Sequence, residues 1–165
     1  MIVKSDTKRR TIYKFLSNIE FENPLSVTLT EKKYFEGLNK RKIWNDKIRS
    51  SQNTKHFLNR INQKVFKNSF RRYGKCLKSF VVMEKSKYQE QPHIHLILEK
   101  PTRFHDHEFK NIINECWCKT NFGNHHTDIQ QIYSNGWLDY LLKDRSKTDL
   151  LSDIDWENTY LGVSK

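Results

Sequence analysis

Four short stretches of the chain have the residue pattern of strands, which is clearest where apolar and polar residues alternate and one face is therefore buried. The first stretch, Leu25 to Thr30, alternates apolar residues with serine and threonine. Two further stretches, Cys76 to Glu84 and His93 to Leu98, are separated by a link long enough for an antiparallel hairpin. A fourth strand, with weaker alternation, is predicted near Thr127 to Tyr133.

Apolar residues recur with a helical period between these strands. The basic segment from Glu31 to Tyr73 is predicted to be helical, and Gly74 is its predicted stop. A second helix is predicted after Pro101, with an apolar stripe formed by Phe109, Ile112, Ile113, Cys116 and Trp117. A last helix is predicted to begin with Ser134 or Asn135 as its cap and to end at about Lys143 or Asp144.

The order strand, helix, two strands, helix, strand, helix predicts the α+β class, in which helices pack on an antiparallel sheet. A chain of 165 residues is long enough for one domain with a sizeable core and short for two. We therefore expect a single domain over residues 1–165, with its core in about 24–144 and a C-terminal tail in 145–165.

A formal net charge of +11 and a pI near 9.6 are typical of a protein that binds a polyanion, and nucleic acid is the leading partner. The predicted first helix carries a basic stripe formed by Arg60, Lys64, Lys67 and Arg71. This stripe is an equally good candidate for a DNA-binding surface and for a solvated helix face. We recognise no signal peptide, lipidation motif or membrane-spanning run, so we expect an intracellular protein with no membrane partner.

Two histidines, His93 and His95, are placed by strand alternation on one face of the predicted third strand. Neutral imidazole binds divalent metals well, so the pair supplies half of a metal site. Glu84 ends the preceding strand and would lie beside the start of the third strand in a hairpin. A set of two histidines and one glutamate leaves coordination positions open for a phosphate oxygen. The alternative is that both histidines simply make hydrogen bonds on a sheet face.

A competing metal set comprises Cys116, Cys118, His125 and His126, because thiolates with imidazoles suit zinc. Two cysteines separated by one residue within a helix do not direct both sulfurs to one point, and Cys116 belongs to the apolar stripe. With Cys76 the chain has an odd number of cysteines, so we expect reduced thiols.

A nucleophile for phosphodiester cleavage is suggested by Tyr140 and Lys143, which lie at i and i+3 of the predicted last helix. The pKa of a tyrosine phenol is about 10, so a neighbouring ammonium would help it to react as phenolate. Tyr133, at the end of the fourth strand, is the competing nucleophile. A half-buried tyrosine beside a solvated lysine is the structural alternative.

Together these residues resemble the HUH endonuclease superfamily, in particular the rolling-circle replication initiator (Rep) proteins of small circular single-stranded DNA viruses and plasmids. Leu25 to Thr30 looks like the first family motif, and His93-Ile94-His95 looks like the His-hydrophobic-His motif, with Glu84 in the place of the third ligand. Tyr140-Leu141-Leu142-Lys143 is similar to the Tyr-x-x-Lys motif. The resemblance covers about residues 24–144.

The resemblance implies an RRM-like antiparallel sheet flanked by helices, the HUH endonuclease fold. It implies an enzyme that nicks one strand of DNA through a 5′-phosphotyrosine on Tyr140, frees a 3′-hydroxyl and can rejoin the ends. Lys143 would orient or neutralise the reacting groups, Glu84, His93 and His95 would hold Mg²⁺ or Mn²⁺, and Thr28 would lie on the DNA-contacting sheet.

The implied partner is single-stranded DNA at an origin or hairpin, in the cytoplasm of a prokaryotic host or the nucleus of a eukaryotic one. The chain contains no Gly-x-x-x-x-Gly-Lys-Ser/Thr motif, so unwinding would fall to a separate helicase.

Two other functions are compatible with the sequence. The first is a single-tyrosine transposase of the same superfamily. That group resembles a motif in which tyrosine is followed four residues later by glutamine, whereas this chain has Asp144 at that position. A non-catalytic module that binds single-stranded nucleic acid would also use a sheet with basic and aromatic residues, and it requires nothing of the two histidines.

Overall fold

The computed structural model describes residues 10–11, 13–84, 92–133, 138 and 153–162, with Glu84 described in its backbone alone. Residues 10, 11, 13–17, 138 and 153 are helical. The other elements, in chain order, are β1 (Pro24–Glu31), β2 (Tyr34–Glu36), β3 (Lys42–Trp44), α1 (Lys47–Phe66), α2 (Asn68–Tyr73), β4 (Ser79–Glu84), β5 (His93–Glu99), α3 (Asp106–Cys118) and β6 (Gly123–Gln131).

Four strands form one antiparallel sheet in the order β4-β5-β1-β6, so β1 and β5 are its central pair. The four predicted strands are therefore present. β4 begins at Ser79 rather than at Cys76, because the N–H of Leu77 donates to Oδ1 of Asn62 at 2.9 Å instead of joining the sheet. β6 begins four residues before its predicted start, at Gly123.

The predicted helix from Glu31 to Tyr73 is wrong over its first third. Glu31 ends β1, and β2 and β3 pair as a separate antiparallel hairpin before α1 begins. Aromatic and β-branched residues flank the turn of this hairpin and favour strands. Asp46 then caps α1 by accepting a hydrogen bond from the N–H of Arg49 at 2.8 Å.

The helical region also breaks at Lys67, whose φ of 50° lies in the left-handed range and separates α1 from α2. Gly74, the predicted stop, ends α2 with a φ of 64°. Its N–H donates to the carbonyl oxygen of Phe70 at 3.0 Å, as in a glycine C-cap.

Each face of the sheet is covered by a different apolar cluster. α1 and α3 pack on one face against Val27, Leu96 and their neighbours. The other face is covered at one end by chain segments before and after the sheet, through the cluster Leu16, Phe21, Phe80, Val82, Ile97, Leu138 and Ile154. The α+β class with an antiparallel sheet is thus confirmed.

The C-terminal segment also borders the outer edge of β4. The N–H of Ser79 donates to the carbonyl oxygen of Tyr160 at 2.7 Å, and the reverse bond is 2.8 Å long. The N–H of Asp155 donates to the carbonyl oxygen of Val81 at 3.0 Å. Among the described helices, none combines the length and the apolar character needed to cross a bilayer.

Candidate functional site

His93 and His95 lie on the same face of β5, as their spacing predicts. Their ring centroids are 6.5 Å apart and the ring planes are inclined by 49°. Both side chains are partly exposed, whereas Ile94, Leu96 and Leu98 on the opposite face are fully buried against α1 and α3. The apolar face thus fixes β5 in the core, and the histidines face away from it.

Strand β1 supplies a threonine to each histidine. Oγ1 of Thr28 lies 3.2 Å from Nδ1 of His95, and Oγ1 of Thr30 lies 3.2 Å from Nδ1 of His93. The β1–β5 register makes these residues direct cross-strand partners. When Nδ1–H donates to the hydroxyl oxygen, the lone pair lies on Nε2, the nitrogen that can then bind a metal.

Glu84 is the register partner of His93 across the β4–β5 pair, so its backbone lies where the predicted third ligand should start. Its side chain lies outside the described residues, as do Tyr140 and Lys143. Within the described part of the chain, no group of three His, Cys, Asp or Glu residues is arranged to hold a metal ion. Of the three predicted metal ligands, the structure therefore describes the side chains of His93 and His95 only.

The histidine face continues across β1 to β6, where Asp128 is the cross-strand partner of Thr28. His95, Thr28 and Asp128 thus form one row, and two strand spacings place Asp128 about 10 Å from His95. Asp128 is exposed and accepts a hydrogen bond from Nε2 of Gln130 at 2.9 Å. No residue pattern identifies Asp128 in advance, because its position in the row depends on the pairing of β6 with β1.

The same face is apolar at its other end. Ile97 lies two residues after His95 and packs with Phe80, Val82 and Leu138. Leu138 is helical and nearly fully buried. Leu138, two residues before Tyr140 in the sequence, thus packs on the face that carries the histidines.

The predicted basic stripe lies on the opposite side of the sheet, because α1 packs on the face away from the histidines. Lys64 forms an ion pair with Glu115 of α3, and Nε of Arg60 donates to Nε2 of His56 at 3.0 Å. Nε of Arg71 donates to Oε1 of Gln63 at 3.0 Å, and Lys67 occupies the helix break. The structure therefore does not bring Arg60, Lys64, Lys67 and Arg71 together with His93 and His95.

The competing cysteine and histidine set is divided between the core and the surface. Cys116 is buried in the α3 core, where burial raises the pKa of its thiol. Sγ of Cys118 lies 3.5 Å from Nδ1 of His125. These residues form no metal-binding group within the described ranges.

No protein-family model, no curated protein and no solved structure matches this chain.

Proposed function

We propose that this chain is a metal-dependent HUH endonuclease, with the RRM-like sheet of that superfamily, which nicks and joins single-stranded DNA to initiate rolling-circle replication. The observation that carries the proposal is the pair of imidazoles on one sheet face, each contacted at Nδ1 by a threonine of β1. Oriented imidazoles with a hydrogen bond at the second nitrogen are the usual form of histidine metal ligands. The central position of β1 and β5 in the sheet supports the same proposal.

The residues present suit a divalent cation. His93 and His95 would bind it through imidazole nitrogens and Glu84 through its carboxylate, and a carboxylate ligand favours Mg²⁺ or Mn²⁺. When bound, the ion would stabilise the negative charge that develops on the phosphate oxygens. Thr28 and Thr30 would orient the two rings, and each hydroxyl can accept a hydrogen bond from Nδ1–H when Nε2 binds the ion.

Tyr140 is the proposed nucleophile. Its phenolic oxygen would bond to phosphorus, the bond from phosphorus to the 3′ oxygen would break, and the departing oxygen would take up a proton. Lys143, at the i+3 position of the predicted last helix, would stabilise the phenolate. Covalent geometry keeps the Cα of Tyr140 within about 7 Å of that of Leu138, which packs on the histidine face.

Single-stranded DNA is the proposed partner, since the net charge of +11 favours a polyanion and a cleaved strand must reach the exposed sheet face. A separate helicase would supply the single strand. Thr28 contacts His95, so in this proposal it serves the metal ligands as well as the DNA-contacting sheet.

The test is to incubate the protein with end-labelled single-stranded origin DNA and Mn²⁺, and to map the residue of any covalent, EDTA-sensitive adduct. We expect the adduct on Tyr140, its loss in Tyr140→Phe and its retention in Tyr133→Phe. Tyr133 is the matched control because it is the competing tyrosine and is almost fully exposed, two residues after the end of β6. Cleavage that persists in Tyr140→Phe would reject this nucleophile.

The second candidate is the non-catalytic module for single-stranded nucleic acid, favoured by the polar, partly exposed row of His95, Thr28 and Asp128. The variants His93→Ala and His95→Ala separate the two functions. In an endonuclease they abolish cleavage and the Mn²⁺-dependent rise in melting temperature. If both properties are unchanged, the protein is a binding module.

The transposase alternative differs from the initiator in its DNA substrate, which is a transposon end instead of a replication origin.

A further inference from the structure

The β2–β3 hairpin presents aromatic and apolar side chains to solvent. Trp44 is 58% exposed and Leu38, in the turn, is fully exposed. The rings of Tyr34 and Trp44 are cross-strand partners with centroids 5.1 Å apart. Water-exposed aromatic rings on a two-stranded hairpin contribute little to a core, so their position requires another explanation.

The same hairpin is strongly basic. Residues 32–44 contain one acidic residue, Glu36, and the five basic residues Lys32, Lys33, Lys40, Arg41 and Lys42. Nζ of Lys42 lies 4.5 Å from the centroid of the Tyr34 ring, so cationic and aromatic groups share one surface. Arg41 and Trp44 line one groove together with Arg49 at the start of α1.

Lys40 occupies a position that disfavours lysine. Its φ of 56° lies in the left-handed region, where glycine or asparagine is preferred. The turn is closed by the N–H of Lys40 donating to the carbonyl oxygen of Gly37 at 3.0 Å. A lysine at the tip therefore adds charge at some cost in stability, as is common where a side chain has a functional role.

The hairpin is attached at the histidine end of the sheet. Lys33 follows Thr30 by three residues, and Thr30 contacts His93. The Phe35 ring packs edge-on against Phe122, with centroids 5.0 Å apart, and Phe122 immediately precedes β6. The hairpin therefore extends from the end of the sheet that carries Thr30 and His93, and its inner side packs near the start of α1.

We propose that the β2–β3 hairpin binds single-stranded nucleic acid, with Trp44 stacking on a base and Lys40, Arg41 and Lys42 contacting phosphates. Exposed aromatic rings interleaved with cations are the combination that recognises unpaired bases and their backbone. An acidic protein surface or an anionic membrane would also use the cations, but single-stranded nucleic acid presents a flat base beside every backbone phosphate and so fits Trp44 and the cations together.

The test titrates a labelled single-stranded DNA oligonucleotide against the Tyr140→Phe protein in EDTA, so that cleavage does not contribute. Adding Trp44→Ala should weaken binding about 5- to 100-fold, the range found for loss of one base–aromatic stack. Adding Lys40→Gly should weaken it about fivefold in about 0.1 M salt, as expected for one lost phosphate contact. Lys40→Gly relieves the left-handed strain, so its melting temperature should not fall, and weaker binding cannot then be ascribed to unfolding.

The matched control is the double variant Arg72→Gln, Tyr73→Ala at the end of α2. Tyr73 is 79% exposed, and α2 leads to the end of the sheet that is remote from the hairpin. This control should bind like the parent protein. Titrations with RNA of the same sequence and with duplex DNA identify which nucleic acid is preferred, and the duplex should bind with less dependence on Trp44.

Wild-type affinity of both hairpin variants for every oligonucleotide would overturn the inference, as would equal weakening in the control. Loss of binding to anionic phospholipid vesicles without loss of oligonucleotide binding would also overturn it. The inference does not depend on cleavage. If no tyrosine adduct forms but binding depends on the hairpin, only the endonuclease proposal is rejected. If the adduct forms but Trp44→Ala leaves binding unchanged, only the hairpin proposal is rejected.

Discussion

The indole N–H of Trp117 donates to the backbone carbonyl oxygen of Thr30 at 3.2 Å. Trp117 is fully buried in α3, while the hydroxyl of Thr30 contacts His93 on the other face of the sheet. The core beneath the sheet is thus connected through one residue of β1 to the candidate metal ligand above it.

Replacing Trp117 with phenylalanine should therefore destabilise the protein. The change leaves the Thr30 carbonyl without its donor in a buried position, at a cost of about 1–3 kcal/mol in the free energy of unfolding. Urea denaturation of Trp117→Phe measures this loss. Trp156→Phe is the control, because Trp156 is 47% exposed and should cost much less. Equal stabilities of the two variants would show that the Trp117 hydrogen bond contributes nothing.

The two threonines should matter for metal binding more than for folding. In the double variant Thr28→Val, Thr30→Val the rings lose their Nδ1 partners, and such losses typically reduce metal affinity 10- to 100-fold. The measurement is the Mn²⁺ concentration needed to raise the melting temperature. Ser26→Ala is the control, since Ser26 lies on the same face of β1 opposite Ile97. Unchanged Mn²⁺ dependence in the threonine variant would contradict the proposed role.

Glu115 should contribute to stability in mild acid. Hydrogen bonds and attraction from Lys119 and Lys64 lower the pKa of its carboxyl from 4.5 to about 2. Since the folded state holds the lower pKa, the stabilisation is complete above pH 4.5 and is lost as the pH falls towards 2. The pair is exposed, so the effect should be small.

The measurement is the free energy of unfolding of Glu115→Gln against pH. At neutral pH the variant should be slightly less stable than wild type, and the difference should vanish near pH 2. Asn111→Gln, an exposed change on the same helix that removes no carboxyl group, should keep the wild-type acid dependence. A Glu115→Gln profile parallel to wild type at all pH values would reject this role.

Gly123 and Gly74 should respond very differently to alanine. A Cβ at Gly123 would lie 2.0 Å from the carbonyl oxygen of Trp117, so backbone would have to move, and we expect a loss of about 3 kcal/mol or more. A Cβ at Gly74 meets nothing within 4 Å, and only its left-handed φ costs about 1 kcal/mol. Comparable melting temperatures for Gly123→Ala and Gly74→Ala would contradict this packing.

The sequence predicted the parts of the fold in which one residue pattern dominates. Alternation at Leu25 to Thr30 and at His93 to Leu98 predicted both central strands, because a buried face repeats every second residue. The position of His93 and His95 on one face of the strand follows from the same rule. The pairing of Thr28 and Thr30 with these histidines did not, since it depends on β1 lying next to β5.

The sequence favours helix over the β2–β3 hairpin because lysine, glutamate and arginine are frequent in residues 31–46 and are all good helix formers. The competing signal was present in Tyr34, Phe35, Ile43 and Trp44, which flank a turn that begins at Gly37. Short strands of three residues carry too little periodicity for alternation to reveal them. The nucleic-acid surface that we propose on this hairpin consequently cannot be predicted from the sequence and requires the structure.

The bonds between β4 and residues 155 and 160 give the C-terminal segment a protective function. An uncovered edge strand offers free N–H and C=O groups to the edge of another molecule, and it promotes aggregation. Ser79 and Val81 have these groups occupied by the chain's own tail. A protein shortened to residue 152 should therefore associate through β4 and sediment as larger species, although every candidate catalytic residue would still be present.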